Sequence, residues 1–105
     1  SLPTLASCLR NVPGYWQKDD HDLLSDDCWP GVTPPKQAPL SFVQGQRLFR
    51  EQVPSPEWGK PLYRTFRWGR DVEIWLPESR DYRTPNNAPD GEAKTIWGPE
   101  QKEWL

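Results

Sequence analysis

The chain's only histidine, His21, stands among three carboxylates in Lys18-Asp19-Asp20-His21-Asp22. Carboxylate oxygens bind hard or borderline cations, and an imidazole that titrates near neutral pH is left free to move a proton. Phosphoester hydrolysis needs both functions: a cation neutralises phosphate charge and acidifies a bound water, while the histidine protonates the departing oxygen. The simpler reading of the same residues is a solvated acidic loop with an incidental histidine, because acidic runs are usually exposed faces.

Other residues offer chemistry with a structural alternative beside each. Arg80 and Arg83, in Glu78-Ser79-Arg80-Asp81-Tyr82-Arg83, suit bidentate phosphate clamping, and equally a salt bridge to the carboxylates around them. Arg80 is the stronger choice for substrate. Asn86-Asn87 reads as a turn before it reads as a ligand pair. Seven tryptophans would serve as stacking platforms, although in a chain this poor in aliphatics most are expected to fill the core. Trp29, just past the acidic motif, is placed to line a pocket. Cys28 is read as a small buried hydrophobe or half of a disulfide with Cys8 before it is read as a thiolate ligand. Two cysteines are also common in reduced cytosolic proteins, so the pairing stays open.

These residues need elements to position them. Leu2, Leu5, Cys8 and Leu9 recur at helical spacing, with Pro3 tolerated in a first turn and Val12-Pro13-Gly14 as the stop. Tyr15-Trp16-Gln17-Lys18 is aromatic enough for a brief strand, which puts the acidic motif at a strand exit. Residues 26–39 hold four prolines and a glycine and predict a surface loop able to act as a flap. Ser41 is the N-cap of a helix over 42–52, with Phe42, Val43, Gly45, Leu48, Phe49 and Val53 on its buried side. Residues 62–68 and 72–76 alternate in the β manner around Gly69-Arg70-Asp71 and predict an antiparallel hairpin. A polar segment over 77–95 follows, and Gly98-Pro99-Glu100-Gln101 opens a last helix.

At 105 residues the chain is expected to form a single domain, 1–105, of α+β class, with two or three short helices, a hairpin and a small core. Thirteen prolines and a mean hydropathy of -0.92 place it near the lower edge of globular composition. The wealth of aromatic rings argues against disorder. A net charge of -2 gives no field for a polyanion, so nucleic acid is not an expected partner. No apolar stretch is long enough to span a bilayer, and the start lacks a leader pattern, so the chain is expected to be soluble. The bare start and the helix opening at the end suggest a segment of something longer, its site completed by a second copy or by the remainder of that chain.

Several ordered blocks carry a family resemblance. Val12-Pro13-Gly14-Tyr15-Trp16-Gln17-Lys18-Asp19-Asp20-His21-Asp22 is the first, followed by Asp27-Cys28-Trp29-Pro30-Gly31 and Leu62-Tyr63-Arg64-Thr65-Phe66-Arg67-Trp68-Gly69. Arg80-Asp81-Tyr82-Arg83 and Trp97-Gly98-Pro99-Glu100-Gln101 complete the series. Together they resemble an internal segment of the PhoD-like alkaline phosphatase/phosphodiesterase family. The resemblance implies descent from a four-layer metallophosphoesterase sandwich, hydrolysis of a small phosphoester, calcium and iron as metals, and secretion or a periplasmic place. By position it implies Asp20 as a metal ligand and His21 as the group on phosphate or the leaving oxygen, with Asp19 and Asp22 in support. With the readings of the single residues, the expected site is Asp20 and Asp22 on metal, His21 and Asp19 as the catalytic pair, and Arg80 and Trp29 on substrate. Two positions depart from the family pattern: Lys18 replaces a tryptophan, and Ser25-Asp26-Asp27 replaces an asparagine-rich stretch. A lysine beside the ligands is expected to weaken metal binding and the added carboxylates to strengthen it. The family's earlier Gly-Asp block and later Asp and His ligands have no counterpart here. Two rival readings therefore stand beside the hydrolase: a non-catalytic binding or structural module, and a metal-dependent hydrolase acting on another ester.

Overall fold

Local signals set most of the elements. The computed structural model describes residues 2–33 and 40–105. Its elements run α1 (Pro3–Asn11), α2 (Phe42–Gln52), β1 (Arg64–Trp68), β2 (Val72–Leu76) and α3 (Gly98–Trp104). Three helices and one antiparallel hairpin make the small α+β fold that the sequence predicts. The described residues hold a single two-stranded sheet. None of their helices is long and apolar enough to cross a membrane. The part of the proline-rich loop at 34–39 lies outside the described residues; 26–33 forms turns and irregular chain, as expected.

Helix α2 starts where Ser41 accepts from the Gln44 N–H at 3.3 Å and the Gln44 side chain accepts from the Ser41 N–H at 2.8 Å, a reciprocal capping box. Its buried side is narrower than predicted. Phe42, Gly45 and Phe49 are buried, whereas Val43 and Leu48 face solvent. In the hairpin, Trp68 pairs with Val72 and Arg64 with Leu76, and Gly69 takes the left-handed φ of +66° that the turn requires. Phe66 and Trp68 share one face, on which Tyr15 packs, and the Trp68 Nε1 donates to the Tyr15 hydroxyl at 2.6 Å. Trp75 on the other face meets Trp104 of α3 at 4.8 Å between ring centroids.

Two expectations fail. Residues 15–18 are not a strand, because β1 pairs only with β2 and leaves them no ladder partner. They are held by side chains instead: Arg64 donates to the Trp16 carbonyl at 2.9 Å and Gln17 to the Pro77 carbonyl at 2.6 Å. The tryptophans do not fill the core either. Trp58, Trp68, Trp75 and Trp97 are exposed and Trp16, Trp29 and Trp104 only partly covered. The buried apolar cluster is Leu23, Cys28 and Phe42, flanked by Leu24 and Val32; Phe49, Leu62 and Leu76 are buried elsewhere. An indole is too large to bury where the layers are this thin, so smaller side chains take the interior. Cys8 is exposed and Cys28 buried, and both are free thiols, so the disulfide alternative does not hold.

Candidate functional site

The acidic motif opens a tight loop organised by Asp20. Its carbonyl accepts from Leu23 N at 3.0 Å and Leu24 N at 2.9 Å, and from the Cys28 thiol at 3.5 Å. Its carboxylate is also engaged: Oδ1 accepts from His21 N and Oδ2 from Asp27 N, each at 2.9 Å. Asp27 reaches this position in the left-handed region, φ +54°, which aspartate tolerates better than most residues. The chain thus doubles back, sending Leu23 and Cys28 inward onto Phe42 and leaving the charged groups outside.

The fold brings His21 Nε2 to 2.7 Å from Asp26 Oδ1. One ligand atom each from Asp20, His21 and Asp26 lie within 4.8 Å of one another. Opposite ligands of a calcium-sized cation are roughly 5 Å apart, so the Asp20 and Asp26 oxygens at this spacing fit one divalent ion, with the His21 imidazole beside them. Asp22 belongs to a different contact, its Oδ2 accepting from Asp19 N at 2.8 Å. Asp19 in turn accepts from the Arg80 Nε at 2.6 Å.

Arg80 bridges the loop. Its Nη2 lies 2.5 Å from Asp19 and 3.5 Å from Asp20, and its Nη1 lies 3.8 Å from Asp27. Arg83 approaches Asp27 at 3.7 Å and donates to Asn86. The Asp27 N–H is the main cause that holds the Asp20 carboxyl below its usual range; the His21 N–H and the charges of Arg80 and His21 add to it against partial burial. Burial pushes the Cys28 thiol up, so it is a protonated core group and not a thiolate ligand. Trp29 turns onto its own loop, its ring against Gly31 where a Cβ would stand. Asn86-Asn87 is a turn, with Ala88 N bonded to the Pro85 carbonyl at 3.0 Å.

Lys18 does not stand beside the candidate ligands, as the sequence suggests. Its side chain is fully buried, with Nζ 2.5 Å from Glu78 and 2.7 Å from Asp81. Burial is the main cause that raises the Glu78 carboxyl, with Lys18 pulling it back down. Gln46 of α2 donates to Asp81 at 2.7 Å. Gln101 of α3, 1% exposed, accepts from Glu78 N at 2.6 Å and donates to the Glu78 carbonyl at 2.7 Å. This polar core ties the acidic motif, α2, α3 and the segment that carries Arg80 into one support.

Sequence reasoning missed this support, and it undervalued Asp26 as a partner of His21. A signal existed for Asp26, since it stands five positions after His21 in a short stretch that holds the turn formers Asp22 and Ser25. Nothing local marks Glu78, Gln46 or Gln101.

Comparison with curated proteins and with solved structures gave no match. A scan against protein-family models matches residues 2–105 to the PhoD-like phosphatase family. The match takes in the acidic loop, both arginines and the buried polar groups behind them; the chain belongs to the PhoD-like phosphatase family.

Proposed function

We propose that this chain supplies the Asp-Asp-His wall of a metal-dependent phosphoester hydrolase of the phosphodiesterase or alkaline phosphatase type. The observation that supports the reading is the convergence of Asp20, His21 and Asp26 beside the Arg80 guanidinium. Asp20 and Asp26 would hold the cation, which when bound supplies positive charge for the phosphate and acidity for a bound water. His21, its ring 73% exposed, faces the open side and donates to phosphate or to the departing oxygen. Arg80 balances the carboxylates and contributes positive charge toward phosphate oxygens. Asp19 and Asp22 set the loop, Asp22 through its bond to Asp19 N and Asp19 through Arg80.

One observation favours the non-catalytic rival. Both Asp20 oxygens already accept backbone N–H groups, and Arg80 is spent largely on Asp19, so the loop is satisfied without an ion. Elemental analysis and turnover of a chromogenic phosphodiester, before and after chelation, separate the two. The expected result is bound metal, activity lost on chelation, and lower metal content in Asp20→Asn, which keeps one acceptor oxygen for the loop. His21→Ala is expected to lose roughly 100-fold or more in turnover. A metal-supplemented chain with no turnover above buffer sinks the hydrolase reading. Equal metal content in Asp20→Asn and the parent removes Asp20 as a ligand.

A further inference from the structure

A second concave site lies outside the acidic loop, between the polar segment and α3, with a volume of about 460 Å³. That size suits a small organic ligand. Arg83 and Lys94 from the polar segment and Lys102 from α3 line it, and among the described residues no carboxylate does. In a chain of net charge -2 this is a local reversal of sign. Ile96 and Trp97 form an apolar wall and are exposed by 54% and 39%.

The cleft has a fixed floor. Thr84 N donates to the Thr95 carbonyl at 2.9 Å, and Thr95 N donates back to the Thr84 hydroxyl at 3.0 Å. Gly98 N, at the start of α3, donates to the Thr95 hydroxyl at 2.9 Å. Arg83 is steadied by Asn86 and by Asp27, 3.7 Å from its Nη1 on the acidic-loop side, while its Nε is buried with no hydrogen-bond partner among the described residues. Lys94 pairs with Asp90 at 2.8 Å, but the Asp90 side chain is 94% exposed, and an exposed pair of this kind gives way readily to a stronger anion.

We propose that this cleft binds an organic phosphate ester bearing a planar ring. Lys102, Lys94 and the unpartnered Nε of Arg83 set positive charge against a phosphate dianion, with Asp27 and Asp90, the carboxylates paired to Arg83 and Lys94, outside the lining; the guanidinium adds directed hydrogen bonds. An exposed indole beside an isoleucine gives the ring a stacking and apolar surface. Neither inorganic phosphate nor a neutral aromatic satisfies both halves. The inference does not depend on metal binding or hydrolysis at the acidic loop.

The test is titration calorimetry of the whole chain with phenyl phosphate, inorganic phosphate and phenol, in low-salt buffer stripped of metal by a chelating resin. Phenyl phosphate is expected to bind roughly tenfold tighter than inorganic phosphate, and phenol not measurably, because each lacks one half of the match. Lys102→Glu, on the exposed side of α3, is expected to weaken phenyl phosphate by roughly tenfold or more. Trp97→Leu should bring phenyl phosphate and inorganic phosphate to nearly equal affinity. Circular dichroism of each variant checks that it is folded. Equal binding of phenyl phosphate and inorganic phosphate by the parent chain overturns the proposal, as does a folded Lys102→Glu with unchanged affinity. Because turnover and metal play no part in this assay, failure of the hydrolase reading leaves its outcome readable.

Discussion

Lys18 shows how much one buried charge decides in a chain with so small an apolar core. Two carboxylates, Glu78 and Asp81, face its ammonium group inside the protein. Removing one partner from a buried ion cluster strands the others, at a cost of about 3 to 5 kcal/mol. Lys18→Met is therefore expected to lose that much stability in urea titrations at neutral pH, a large fraction of what a small domain has. The pH dependence follows from Glu78. Burial raises its folded pKa above the unfolded value of 4.5, so its contribution to stability is full below that value and declines as pH rises through the folded one. Without Lys18 the folded pKa rises further. The deficit of Lys18→Met should widen above about pH 4.5 and narrow below it. A deficit independent of pH would mean that the lysine acts through packing alone.

At the scale of elements, α2 and the acidic loop approach backbone to backbone at Gly45. A Cβ on Gly45 would stand 2.6 Å from the Leu23 carbonyl oxygen, and backbone cannot swing aside as a flexible side chain does. Gly45→Ala would gain about 1 kcal/mol of helix propensity. It is expected nonetheless to destabilise the protein by roughly 1 to 3 kcal/mol through overpacking, measured as a lower denaturation midpoint with the helical signal retained. A stabilised Gly45→Ala would mean that the loop and helix are not in contact. Elements with local signals were legible in the sequence. The Ser41 cap of α2, the alternation around Gly69 and the Gly-Pro start of α3 each act within a few residues, and each is found where it is expected. Residues 15–18 were not legible, since strand character depends on a neighbour and β1 has only β2. The same distinction applies to the site. Asp20 and His21 stand out as a motif, whereas the partnership of His21 with Asp26 follows from a turn closed by Leu23 and Leu24 on the Asp20 carbonyl. The polar support behind it spans Lys18, Gln46, Glu78 and Gln101, far apart in the chain and without a period to betray them.

The whole molecule is open for its mass. Its accessible surface is 7906 Å² at 12.2 kDa, against about 6,100 Å² for a compact monomer of that size. Helix α1 contributes to the excess: it has no buried residue, and Leu2, Leu5 and Leu9 are 70%, 54% and 48% exposed. Its apolar stripe was correctly read from the spacing but is not used for packing within the described residues. Leu5→Gln with Leu9→Lys is therefore expected to change stability by less than about 0.5 kcal/mol, because neither side chain is buried. The same pair should visibly reduce the fluorescence of a bound apolar dye. A large loss of stability would show that α1 packs in solution where the structure leaves it bare.

The two free thiols give the acidic loop a clock. Cys28 has no exposed surface and its Sγ lies 3.5 Å from the Asp20 carbonyl, whereas Cys8 is exposed on α1. An alkylating reagent can reach Cys28 only when the turn from Asp20 to Cys28 opens, so its labelling rate relative to Cys8 measures how often that happens. Cys28 is expected to label at least about 100-fold more slowly than Cys8, with Asp20→Asn closing part of the gap. A cation or substrate that engages the loop would slow the clock, reporting occupancy without any need for turnover.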